Sequence, residues 1–93
     1  MKYSIKFTSQ LKKDFKLAKK QGKNLNKLFE VLDTLTTGKT LEAKYRDHNL
    51  SGKYSATREC HIEPDWLLAY EIIDESLVLI LYRIGSHAKL FKL

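Results

Sequence analysis

A chain of 93 residues is long enough for one domain and too short for two, and its 43% apolar content with four glycines and one proline excludes a disordered or low-complexity polymer. The single cysteine, Cys60, excludes an internal disulfide, the opening MKYSIKFTSQ has no apolar core of a secretion signal, and no apolar run approaches the roughly 18 residues of a membrane span. The net charge of +6 is uneven: residues 1–58 carry fourteen Lys and Arg against five acids, residues 59–93 three against six. These features predict one compact cytoplasmic domain, residues 1–93, with no membrane association and a cationic amino-terminal part.

Tyr3, Ile5 and Phe7 alternate with polar neighbours, which predicts a half-buried strand over 2–7. Thr8 or Ser9 then caps a helix with apolar positions Leu11, Phe15 and Ala18, ended by Gly22. Asn24 caps a second helix with Leu25, Leu28, Leu32 and Leu35 at helical spacing, stopped by Gly38. Residues 39–52 lose all periodicity and read as a long connection carrying His48. After it come KYSATRECHI, WLLAYEII and LVLILYRI, separated by EPD and DES, which predict three strands of an antiparallel meander. With the last turn centred on Glu75, Leu67, Ala69, Glu71 and Ile73 face Arg83, Leu81, Leu79 and Leu77. The helices are then expected to cover the uncharged face made by Leu68, Tyr70, Ile72, Val78, Ile80, Tyr82 and Ile84. The fold class is α+β: a strand, a two-helix hairpin, then the meander.

A meander brings the end of its first strand, the start of its second and the end of its third to one edge. His61, Asp65, Trp66 and Arg83 therefore converge, Gly85 and Ser86 let the chain turn back with His87, and His48 is within reach from the long connection. Such groups suit phosphodiester cleavage: a histidine or carboxylate takes the 2′-hydroxyl proton, another protonates the departing 5′-oxygen, and an arginine stabilises charge on the phosphorus oxygens. Trp66 or Phe91 offers a ring for an unpaired base. A plainer reading stands beside each one. His61 is equally a sheet histidine, Asp65 a turn former, Arg83 an ion-pair partner of Glu71, Trp66 a core residue, and His87 with Phe91 an anchor for the carboxyl terminus.

Lys12, Lys13, Lys16, Lys19, Lys20 and Lys23 crowd one segment, offset only by Asp14. Nucleic acid is the natural partner of such a field, and a solvated face that only confers solubility is the alternative. His48, His61 and His87 lack a recognised zinc spacing, so no metal is expected. Cys60 points to the opposite strand face from His61, which disfavours a Cys–His nucleophile and makes it a packing residue.

The motifs YRDHNLSGKY, RECHIEPDWLLAY and YRIGSHAKLF, in this order of elements, resemble the YafQ-type toxins of the RelE superfamily of bacterial toxin–antitoxin systems. The resemblance covers almost the whole chain. It implies a metal-independent, cofactor-free endoribonuclease that enters the ribosomal A site, cleaves mRNA and is silenced by a cognate antitoxin. It implies functional roles for His48, His61, Asp65, Trp66, Arg83, His87 and Phe91, with His87 and Asp65 foremost for proton transfer and Arg83 for phosphate stabilisation. The helical lysines Lys12, Lys13, Lys16, Lys19 and Lys20 would grip ribosomal RNA. The alternative is a noncatalytic module of the same fold that binds RNA or antitoxin. A DNA-binding accessory protein is a third class, without a recognition-helix pattern to support it.

Overall fold

The computed structural model describes residues 2–91, apart from the side chains of Lys53 and Phe91. Strand β1 (Ser4–Phe7) leads into helices α1 (Ser9–Lys20) and α2 (Leu25–Thr36). Thr8 caps α1 by accepting the Leu11 N–H at 2.9 Å, and Asn24 caps α2 through the Asn26 N–H at 3.1 Å. Both helices end alike. Lys23 N–H reaches back to Ala18 O at 3.0 Å and Lys39 N–H to Thr34 O at 3.2 Å. Each of these closures needs a left-handed residue just past the helix, supplied by Gly22 at φ 72° and Gly38 at φ 80°.

The rest of the chain forms β2 (His48–Asn49), β3 (Arg58–Glu63), β4 (Trp66–Ile73), β5 (Val78–Gly85) and the short α3 (His87–Phe91). The sheet order is β1-β5-β4-β3-β2, antiparallel except for the parallel edge pair β1–β5. Two expectations are corrected here. The predicted strand KYSATRECHI begins only at Arg58, because His48 and Asn49 pair with Glu59 and Arg58 and turn the intervening residues into a hairpin loop. The register of the last hairpin also differs, by one residue near the turn and by two beyond a bulge, where Ala69 faces Arg83 and not Leu81. Ile73 faces Val78, not Leu77, since Leu77 adopts φ 52° within the turn and donates to Asp74 O at 3.3 Å.

That shift changes which residues of β5 face the helices. Leu68, Tyr70 and Ile72 of β4 pack there with Leu79 and Leu81, and a bulge at Tyr82 restores the predicted face at Ile84. Val78, Ile80 and Tyr82 lie on the other face. From the helices, Leu11, Ala18, Leu28, Val31 and Leu35 complete the core. Side chains buried this fully contribute about 1.5–3 kcal/mol each for the larger aliphatics.

A polar knot ties the long connection to this core. Asp47 accepts the buried Tyr70 hydroxyl and Arg58 Nη2, the latter at 2.8 Å, while Arg58 also donates to Asn49. Burial first, and then Asp47, push the Tyr70 phenol upward. Asp47 thereby anchors the backbone on which His48 stands.

Candidate active site

Strand register arranges the chemistry in rows. His48 on β2 faces Glu59 on β3, Glu59 faces Ala69 on β4, and Ala69 faces Arg83 on β5. The adjacent row is His61, Leu67 and Gly85. By strand alternation all of these lie on the face away from the helices. Leu67 and Ala69 are buried and divide the polar residues into two clusters.

The first cluster is built around Glu59, which is only 3% exposed. Its Oε1 lies 3.5 Å from His61 Nε2 and 3.7 Å from His48 Nε2, with the imidazole centroids 6.4 Å apart. The opposite nitrogen of each ring meets a backbone carbonyl: His48 Nδ1 lies 2.6 Å from Arg46 O, and His61 Nδ1 3.2 Å from Pro64 O. A carbonyl only accepts, so Nδ1 carries a proton in both rings and Nε2 is the atom left to exchange one. Arg46 holds its carbonyl in place from a left-handed conformation at φ 50°.

The second cluster lies where β4 begins and β5 ends. Asp65, in the turn before β4, accepts the His87 backbone N–H at 3.1 Å through Oδ1 and so caps α3. Ser86 Oγ accepts the Lys89 N–H at 3.2 Å. Arg83 is not paired with Glu71, which accepts the Tyr82 hydroxyl at 2.8 Å. Arg83 instead reaches past the end of β1 to Asp14 on α1, Nε to Oδ2 at 2.9 Å and Nη2 to Oδ1 at 3.2 Å. A cleft of about 310 Å³ runs between α1 and this end of the sheet, lined among others by Gln21, Lys23, Asp65, Ser86 and Lys89.

His48 and His61 thus stand around Glu59, while Asp65, the His87 backbone and Arg83 belong to a second cluster beyond Leu67 and Ala69. Trp66, expected as a stacking surface, is corrected to core: it is 3% exposed, with Lys23 Nζ 5.8 Å from its ring centroid. The side chain of Phe91 lies outside the described residues. Lys12, Lys13, Lys16, Lys19 and Lys20 are all exposed on α1. Cys60 is fully buried, and burial pushes its thiol up to about 12, which fits packing and not nucleophilic use. Glu59 and Lys89 had no place in the sequence argument, and Asp14 and Lys23 entered it only as members of the charged segment. Asp14 alone had a signal, as a lone acid on the apolar stripe of a cationic helix. Among the described residues no group of three or more His, Cys, Asp or Glu is placed to hold a metal ion.

Residues 3–92 match the family described as the bacterial toxin of type II toxin–antitoxin systems, YafQ. The chain belongs to the YafQ toxin family. A curated YafQ relative, the mRNA interferase toxin YafQ of Escherichia coli K12, is 44% identical over 89 residues, 94% of each chain. Among solved YafQ structures, the toxin in the E. coli DinJ-YafQ toxin-antitoxin complex superposes with a TM-score of 0.88 at 39% identity, covering 98% of this chain and 99% of that one. A metal-bound toxin from Helicobacter pylori superposes with a TM-score of 0.90 at 40% identity, covering 96% and 99%. No helix among the described residues is long and apolar enough to cross a membrane.

Proposed function

We propose that this chain is the mRNA interferase toxin of a type II toxin–antitoxin system, cleaving mRNA in the ribosomal A site of the cytoplasm without a metal or other cofactor. The observation that supports the chemistry is a pair of neighbouring polar clusters on one face of the sheet, two oriented imidazoles around Glu59 in one, and Asp65, linked to His87, with Arg83 in the other. In this reading a 2′-hydroxyl attacks the adjacent phosphorus as its proton passes to a base, the P–O5′ bond breaks, and an acid protonates the 5′-oxygen. The products are a 2′,3′-cyclic phosphate and a free 5′-hydroxyl.

His61 and His48 present Nε2 for proton transfer, with Nδ1 held by a carbonyl in each. Asp65 and His87 supply the second pair of proton-transfer groups beside the cleft. Arg83 offers guanidinium N–H groups to the phosphorus oxygens as charge builds there. The lysines of α1, together with Phe91, hold ribosomal RNA and message through sequence-independent contacts. The domain 1–93 acts as one unit. A cognate antitoxin, by analogy with the DinJ-YafQ complex, covers the cationic surface and silences it.

Cleavage of a message on programmed ribosomes, compared among the parent, His87→Ala and Arg83→Ala, tests the proposal. Losses of about 10²-fold or more are expected for each variant. Unchanged cutting by both would reject it. Growth arrest that survives loss of His61, Asp65 and His87 together would favour a noncatalytic binding module.

A further inference from the structure

Asp14 occupies a position on α1 where the amphipathic pattern calls for an apolar residue, on the buried stripe with Leu11 and Ala18. Its side chain is 0% exposed, and no other acid lies on that helix. Oδ2 accepts Arg83 Nε at 2.9 Å and the Ile84 backbone N–H at 3.1 Å. Oδ1 accepts Arg83 Nη2 at 3.2 Å and Gln10 Nε2 at 3.1 Å, with Lys89 Nζ 3.9 Å away.

Part of this arrangement serves the backbone. Pairing of β1 with β5 stops at Phe7 and Leu81, so beyond that point the edge of β5 has no neighbouring strand, and the carboxylate takes the ladder's place at Ile84. A neutral acceptor would meet that need. The additional grip on Arg83 goes beyond it: a side-on pair fixes the guanidinium plane and engages two of its five N–H groups, leaving three. Burial works against a charged carboxyl here, yet the hydrogen bonds from Arg83, Gln10 and Ile84 together hold Asp14 below its ordinary range. The pair is therefore ionised wherever the protein works.

We propose that Asp14 is a positioning residue for RNA cleavage, fixing the plane of the Arg83 guanidinium so that its remaining N–H groups are preset for the scissile phosphate. This rests on the interferase reading, in which Arg83 stabilises charge on the phosphorus oxygens. Donors already in place cost no reorganisation when charge develops, so their benefit falls in the transition state and not in ribosome binding.

Single-turnover cleavage on programmed ribosomes separates the saturating rate from the half-saturating ribosome concentration. For Asp14→Asn the saturating rate is expected to fall about 10- to 100-fold, with half-saturation within about threefold of the parent. The double variant D14N/R83A is expected to match R83A within about twofold, since the two residues act through one group. Arg83→Lys is an arm that leaves the buried Asp14 untouched and decides the matter alone if D14N does not fold. It keeps the charge but loses the planar fork, and is expected within about threefold of Arg83→Ala. A parent-like saturating rate for folded D14N, multiplying losses in the double variant, or R83K within about threefold of the parent each overturn the positioning role. Those outcomes leave the interferase reading intact so long as R83A is impaired. Parent-like cutting by R83A would remove Arg83 from the reaction, and Asp14 with it.

Discussion

Asp65 and His87 stand 22 positions apart and are joined by a hydrogen bond, Asp65 Oδ1 accepting the His87 backbone N–H at 3.1 Å. The bond makes Asp65 a cap for α3, and the proposed mechanism asks it to move a proton as well. Asparagine keeps a carbonyl acceptor for the cap but has no carboxyl to exchange a proton. For Asp65→Asn, single-turnover cleavage is expected to fall about 10²- to 10³-fold while the His87 amide resonance stays near its parent position. A rate within threefold of the parent would reduce Asp65 to a cap.

Glu59 tests the other cluster. A buried carboxylate lies 3.5 and 3.7 Å from the Nε2 atoms of two imidazoles and is placed to orient both. Glu59→Gln preserves volume and hydrogen-bonding capacity while removing the charge. Its cleavage rate is expected to drop about tenfold, against about 10²-fold for His61→Ala, and the combination should be no slower than His61→Ala. Additive losses in the pair would show that Glu59 acts apart from His61.

What the chain discloses without coordinates is mostly local. Thr8, Asn24, Gly22 and Gly38 act within a few residues of themselves, so both helices and their ends follow from spacing alone. WLLAYEII keeps its predicted bounds for the same reason, with turn formers on both sides. The register of the last hairpin escaped because it depends on a left-handed Leu77 and a bulge at Tyr82, and neither has a distinctive residue to mark it. The pairing of β1 with β5, and of Asp14 with Arg83, joins residues about 70 positions apart. No periodicity encodes such a contact. Trp66 shows the reverse error, since an aromatic beside polar residues in sequence proves to point into the core.

Cys60 lies between Glu59 and His61 yet faces the helices. Because the thiolate is the reactive form, a thiol pushed up to about 12 stays inert near neutrality. Cys60→Ala is expected to cost about 1 kcal/mol in chemical denaturation and to leave cleavage within twofold of the parent. Native protein should resist iodoacetamide at pH 8 and react after unfolding. A large catalytic loss with an intact fold would contradict this assignment.

Asp14 makes stability depend on acid. Its folded-state pKa lies below the ordinary 3.8, so it binds its proton more readily when the chain is unfolded. The contribution is fully present above that ordinary value and disappears as pH falls through the depressed one, which places the loss below about pH 4. Urea unfolding of the parent between pH 6 and 3 is expected to show falling stability. Asp14→Asn should start about 2–4 kcal/mol lower at neutral pH and lose less on acidification, because its side chain does not titrate. Parallel curves for the two proteins would place the acid sensitivity elsewhere.

The lysines of α1 present a choice between a binding surface and a merely solvated one. Lys13, Lys19 and Lys20 are exposed and form no part of the core, and alanine favours a helix, so replacing all three leaves the fold intact. If each neutralises one RNA phosphate, the slope of log affinity for ribosomes against log salt should become shallower by about 2 to 3. Affinity should drop most at low salt, where counterion release contributes most. Titration of labelled protein with ribosomes from 50 to 200 mM salt reads both quantities. An unchanged slope would mean that the helix faces solvent on the ribosome and that the grip on RNA comes from Lys23, Lys89 and the cleft beside Asp65.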